Sequence, residues 1–246
     1  MVLFFCTAII IYIWDQFKNQ EMKYVSIDIE TTGLEKDRYQ ILSIGAIIED
    51  TSKKLPFDEI PKFHAAILHN EITGSPFALN MNKKILEAVA QYQEAEDQDE
   101  KNDLVQMTGM EFYHEDEVSE AFYQFLYRNG LVEFDSKEAI NRQVKIVNGQ
   151  TYPILTSKMK PVTINVAGKN FASFDKIFLE RLPRWKQVVR IRQRIIDPSV
   201  MFTNWNDDNS LPSLFECKKR AKIDGIVTHD ALEDAWDVIL LLRTQY

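Results

Sequence analysis

Tyr24-Val-Ser-Ile-Asp-Ile-Glu30 alternates without a break, with Val25, Ile27 and Ile29 on one side and Ser26, Asp28 and Glu30 on the other. Successive side chains of an extended chain leave opposite faces, so this pattern predicts a half-buried β-strand. The polar side carries two carboxylates. Asp28 and Glu30 leave the same face about 6.5–7 Å apart along the chain. Acids held that close repel unless a proton or cation stands between them. Oxygen donors of this kind suit hard divalent ions, Mg²⁺ or Mn²⁺. An Asp-x-Glu standing alone is common at solvated strand ends and decides nothing by itself.

Working outward, Thr31-Thr-Gly-Leu34 reads as a turn, Gln40–Asp50 as a second apolar strand and Phe63–His69 as a third. Short connections make these strands antiparallel neighbours. Leu79, Ile85, Leu86 and Val89 give Ala78–Tyr92 helical spacing. Gln93–Asp103 is acidic and almost without large apolar residues, which predicts a loop or a disordered insertion. Glu115–Arg128 reads as a helix. Asp135–Lys160 is ambiguous, with Asn148-Gly149 marking a turn, as in a hairpin. Pro161–Val166 reads as a buried strand, followed by a helix near Ala172–Leu182, a strand at Ile191–Ile196, and helices at Leu211–Ala221 and Asp230–Thr244. Strands first and strand–helix units later predict an α/β fold, a mixed β-sheet flanked by helices.

Two later segments add to the carboxylate pair. Asp175, in Asn170-Phe-Ala-Ser-Phe-Asp-Lys-Ile-Phe-Leu179, opens a helix just after a buried strand; alone it would be read as stabilising the helix N-terminus. In Thr228-His-Asp-Ala-Leu-Glu-Asp-Ala-Trp-Asp237, Asp230 and Glu233 have capping-box spacing. His229 then lies just outside the helix and Asp234 in its second turn. Alone, these would be a surface histidine and an acid on a charged face. Together the segments supply what phosphodiester hydrolysis needs. Acids converging from several elements hold two cations, and a base of near-neutral pKa takes a proton from water.

Asp28-Ile-Glu-Thr-Thr-Gly-Leu34, Phe174-Asp175 and His229-Asp-Ala-Leu-Glu-Asp234 resemble the three motifs of the DEDDh 3′–5′ exonucleases, in the proofreading-exonuclease superfamily. The resemblance spans roughly 23–50 and 162–242 and implies a ribonuclease H-like fold. It implies that Asp28, Glu30 and Asp234 hold metal ions directly, that Asp175 completes the site partly through water, and that His229 is the general base. It also implies that Thr31, Thr32 and Leu34 lie against the terminal nucleotide, with Phe174 lining the pocket or serving as a core aromatic. The implied reaction removes nucleoside 5′-monophosphates from a free 3′ end, single-stranded and DNA rather than RNA, using two Mg²⁺ or Mn²⁺ ions. RNA or short oligoribonucleotides, and a catalytically silent nucleic-acid-binding module, remain as alternatives. The chain departs from the family at Phe171, where members often carry Asn; the nearest one here is Asn170.

Composition permits this reading and restrains it. The chain has 246 residues and a formal net charge of −8, which is unfavourable for phosphate binding. From Lys158 to Arg194, however, ten Lys/Arg face only Asp175 and Glu180, whereas Glu94–Glu120 carries eleven acids against Lys101. A basic stripe can bind a backbone on an acidic protein, although it is equally what a solvated helix face looks like. Cys6 and Cys217 make no disulfide framework, so a reducing, cytoplasmic setting is expected. Val2–Trp14 is apolar apart from Thr7 but too short for a membrane span, and no positive charge precedes it. Residues 1–21 are therefore expected to be an apolar extension outside the fold; a short membrane anchor or an extra packed helix are the alternatives. Residues 22–246 are expected to be the exonuclease domain, with an insertion at about 91–160. Oligomeric state has no signature.

Overall fold

Glycine in the middle of an apolar strand costs stability unless another backbone must come close. Gly45 is such a residue, and its setting explains the architecture. The computed structural model describes residues 22–132, 144–147, 150–153, 161–225 and 227–246. The expectations for 1–21, for most of 135–160 and for the Asn148-Gly149 turn lie outside these. The strands are β1 (Lys23–Thr31), β2 (Ile41–Asp50), β3 (Lys62–Leu68), β4 (Glu111–His114), β5 (Val144–Val147), β6 (Gln150–Pro153), β7 (Val162–Ile164), β8 (Val166–Ala167) and β9 (Val189–Ile191). The helices are α1 (Pro76–Met81), α2 (Lys83–Glu94), α3 (Gln98–Thr108), α4 (Val118–Arg128), α5 (Asp175–Leu179), α6 (Trp185–Val188), α7 (Leu214–Ala221) and α8 (Ala231–Arg243).

The main sheet is mixed, in the order β4-β3-β2-β1-β8. β1 and β3 run antiparallel to β2, as the short connections predict, while β4 and β8 join the edges in parallel. β7 and β9 form a parallel pair, and β5 and β6 an antiparallel one with Val147 opposite Gln150. Helices cover both faces. Val25, Ile27 and Ile29 of β1 pack with Phe122 and Leu126 of α4 and with Trp185. On the other face Tyr24 and Ile47 meet Ala235, Val238, Ile239 and Leu242 of α8.

The polar side of β1 is thus covered rather than solvated. The two faces of β1 are those the alternation predicts, but Ser26 and Glu30 are buried because α8 lies over them. The Ser26 hydroxyl donates to the Ala235 carbonyl at 2.7 Å, supplying the partner that a buried hydroxyl needs. Gly45, opposite Asp28 in the β1–β2 register, admits the first turn of α8; a Cβ there would overlap the Ala231 carbonyl and the Leu232 amide nitrogen.

Other expectations need correction. Gln93–Asp103 is not a loop: α2 continues to Glu94, and α3 begins at Gln98. Asp97 caps α3 by accepting the Asp99 and Glu100 amides, and the acids of its first turn oppose the helix dipole favourably. The helix expected over Ala78–Tyr92 is two helices, broken at the buried Asn82, whose amide donates to the Thr31 carbonyl. The helix near Ala172–Leu182 is confined to Asp175–Leu179, and the strand expected at Ile191–Ile196 lies instead at Val189–Ile191, with Ile196 making an isolated bridge to Ala167. Among the described residues no helix is long and apolar enough to cross a membrane.

The Gly45 contact is backbone against backbone, so a side chain cannot swing clear. Gly45→Ala is expected to lower the unfolding free energy by about 1–3 kcal/mol, or somewhat more. Urea denaturation measures this, and an unchanged midpoint would mean that α8 is not seated on β2.

Candidate active site

The face of β1 beneath α8 carries Asp28 and Glu30, just before an irregularity in the β1–β2 register between Glu30 and Thr31. Bulges of this kind re-aim side chains at strand ends. Asp175 reaches the same corner from α5, and its Oδ1 accepts the Ile29 amide at 3.1 Å. β8 runs beside β1 only as far as Ser26, so the carboxylate supplies an acceptor that no strand provides at Ile29. That bond fixes Asp175 to the backbone between the two β1 acids.

α8 brings the remaining groups. The Asp230 carboxylate caps it, accepting the Leu232 and Glu233 amides at 3.0 Å each. The reciprocal half of the expected capping box is different: the Glu233 carboxylate accepts the Thr228 hydroxyl. His229, just before the cap, is exposed and adopts φ +56°, a left-handed conformation costly for a residue other than glycine. Asp234, one turn into α8, is 7% exposed, and its Oδ1 is buried without a hydrogen-bond partner.

Glu30, His229 and Asp234 each present a ligand atom, and these atoms lie within 4.8 Å of one another. Two carboxylates, one with an unbonded buried oxygen, fit a divalent cation, because the cation would satisfy the orphaned acceptor, and the imidazole stands close enough to reach a water beside it. Asp28 and Asp175 stand beside the trio. Burial pushes the Asp28 carboxyl well above the ordinary range, and Asp175, Asp234 and Glu30 push it further. Burial, then the charge of Asp234, raises Glu30 to about 8, although a hydrogen bond from Asn82 opposes the rise. Burial takes Asp175 to about 7 against the pull of its backbone hydrogen bonds. Asp234 also rises to about 7, first through burial and then through Asp237 and Asp230.

The other expected residues fall into two groups. The Thr31 hydroxyl donates to the Gly33 carbonyl, and the Thr32 hydroxyl accepts the Gln40 amide, so both are engaged within the turn. Phe174 packs against the core with its ring 5.1 Å from that of Phe178. Leu34 is 82% exposed, free to meet a ligand. Asn170 donates its amide to Asp197 and accepts the Ser173 hydroxyl, while Phe171 is core. Several members of the basic run are in exposed pairs, Arg181 with Asp37 and Lys186 with Glu180; Arg190, Arg192 and Arg194 are exposed along and just after β9. Sequence reading passed over Asn82 and Gly45. Glycine inside QILSIGAIIED was a signal of close backbone approach; nothing in the sequence marks Asn82.

No family model and no curated protein matches the chain. Among solved structures it is similar to E. coli Exonuclease I in complex with a dT13 oligonucleotide, at 14% identity and TM-score 0.50, covering 90% of this chain and 40% of that one. Two further structures of that enzyme give TM-scores of 0.49. One is in complex with a 5cy-dT13 oligonucleotide (15% identity, 92% of this chain and 41% of that one). The other is the zinc-bound form with ssDNA (16%, 91% and 40%). The chain therefore spans about two fifths of the length of the chains it matches. At such identity the likeness is one of fold.

The raised carboxyls predict an unusual pH dependence. Between the ordinary carboxylate range near 4 and about 8, the folded protein binds more protons at Glu30, Asp175 and Asp234 than the unfolded chain does. Stability from these groups is therefore present at low pH and lost as pH rises through that window. Without divalent ions, Tm should fall from pH 5.5 to 8.5, and added Mn²⁺ should raise Tm more at pH 8 than at pH 5.5. Differential scanning fluorimetry reads both, and a metal-free Tm that climbs with these carboxyls' ionisation would contradict the electrostatic picture.

Proposed function

We propose that the chain is a divalent-metal-dependent 3′–5′ exonuclease that releases nucleoside 5′-monophosphates from single-stranded DNA, on a ribonuclease H-like fold within residues 22–246. The observation that carries this reading is the meeting of Glu30, His229 and Asp234 within 4.8 Å, beside two further acids from β1 and α5. A fold shared with an exonuclease solved with dT13 supports it and favours DNA.

Asp28, Glu30, Asp175 and Asp234 would hold two ions, Mg²⁺ or Mn²⁺. When bound, these would neutralise charge on the scissile phosphate and stabilise the leaving oxygen. His229, at the exposed rim, takes a proton from the attacking water. That oxygen attacks phosphorus in line, the bond to the 3′-oxygen of the preceding nucleotide breaks, and the nucleotide leaves with its 5′-phosphate. Leu34 offers an apolar surface to the terminal base, with Thr31 and Thr32 shaping the turn beneath it and Phe174 backing the pocket. A silent binding module has no chemical need for four acids and an imidazole in one corner. The 91–160 region is left outside this chemistry as an insertion.

His229→Ala and Asp175→Ala are expected to lower kcat by about 10²–10⁴-fold, the usual range for loss of a proton-transfer group or its equal. EDTA should abolish hydrolysis, and Mn²⁺ should restore it. The assay uses 3′-labelled and 3′-blocked single strands of DNA and RNA. Equal rates for His229→Ala and the parent would remove the base, activity in EDTA would remove the metals, and faster RNA hydrolysis would change the substrate to RNA.

A further inference from the structure

The Lys218 ammonium, on α7, lies 2.6 Å from the Asp237 carboxylate on α8, and the two side chains are only 5% and 10% exposed. Two charges withdrawn from water give back most of their attraction as lost hydration, so such a pair adds little net stability. Its surroundings suggest a different role. Asp237 follows Asp234 by three residues, on the same flank of the helix. Asp237 sets a further negative charge against Asp234, and Lys218 opposes it.

Lys218 also meets the segment that leads to His229. Its carbonyl accepts the Lys222 and Ile223 amides, closing α7 where the chain turns. Lys222 is left-handed at that turn. Three residues later Gly225 bends again, with φ +108°, and the Lys218 Nζ lies 3.5 Å from where a Cβ on Gly225 would stand. The Lys218 side chain therefore reaches α8 and stands near the bend four residues before His229, while its carbonyl helps to close α7.

We propose that Lys218 is a positioning residue of the metal site: by holding Asp237 on α8 and standing beside the Gly225 bend, it sets Asp234 and His229 relative to Glu30. The proposal rests on the metal site described under Proposed function, but not on the identity of the substrate. Lys218 would act on Asp234 and His229 through the elements that carry them, α8 and the segment after α7, as partners behind metal ligands act through the ligands they touch.

The test uses the full chain, its Lys218→Met variant and the double variant Lys218→Met/Asp237→Leu. Isothermal titration with Mn²⁺ alone gives metal affinity, thermal melting gives stability, and hydrolysis of a dT oligonucleotide gives kcat and KM separately. Lys218→Met should weaken Mn²⁺ binding by about 10–100-fold, the range for loss of a partner behind a ligand. Its kcat should fall while KM stays close to the parent value. The double variant leaves no buried charge unpaired, so it should regain thermal stability while Mn²⁺ binding and kcat stay low. A double variant with parental Mn²⁺ affinity and kcat would show the pair to be merely structural and overturn the proposal, even if Lys218→Met itself does not fold. A parent protein that binds no Mn²⁺ overturns it too. Lys218-dependent Mn²⁺ binding in a protein that degrades no nucleic acid would instead sustain the proposal and remove the exonuclease reading.

Discussion

Carboxylates repel one another more strongly as water is withdrawn from between them, and the rest of this structure is arranged around that repulsion. Asp28 and Glu30 on a solvated strand would be ordinary acids. With α8 laid over β1 and α5 pinned against Ile29, the same groups share a poorly hydrated corner with Asp175 and Asp234. Each raises the cost of ionising its neighbours. Such a corner is stable in two ways: partly protonated, or holding cations. The unbonded Oδ1 of Asp234 makes the second the more complete arrangement.

The fold reaches this state by close approach rather than by special side chains. Missing a Cβ, Gly45 lets the first turn of α8 rest on β2 directly opposite Asp28. Asp230 caps that turn and thereby fixes where His229 leaves the helix and where Asp234 enters it. The early end of β8 frees the Ile29 amide for Asp175. The far end of α8 carries a buried ion pair of its own. Glu49 accepts two hydrogen bonds from Arg243, one at 3.0 Å and one at 2.7 Å, far along the same helix. That ion pair holds the other end of α8 against β2, so the helix is anchored at both ends.

Local patterns were legible where a segment's period matched its burial. β1, β2 and β3 follow from alternation and apolar runs, α4 from the spacing of Val118, Phe122, Phe125 and Leu126, the start of α8 from the capping spacing of Asp230 and Glu233, and the candidate acids from motifs that sit at element ends. What failed did so for physical reasons. Gln93–Asp103 is polar enough to remain unfolded, yet a cap at Asp97 and acids in the first turn suffice for α3. Nothing local announces that one buried amide, at Asn82, divides Ala78–Tyr92 into two helices, since its partner, the Thr31 carbonyl, is distant in sequence. β4 consists of four residues beside β3, and only the neighbour makes it a strand.

The amino-acid sequence by itself determined the candidate site residues, the α/β class of the fold and the direction of its first strands, because side-chain type and period are properties of single segments. Only the tertiary structure decided that the polar face of β1 is covered, that Glu30, His229 and Asp234 share one small volume, and that Lys218 and Asp237 pair beside them. Those are consequences of withdrawing water and of contacts between segments distant in the chain, such as Ser26 with Ala235, 209 residues apart. Hydration and distance belong to the assembled protein, so no reading of separate segments contains them.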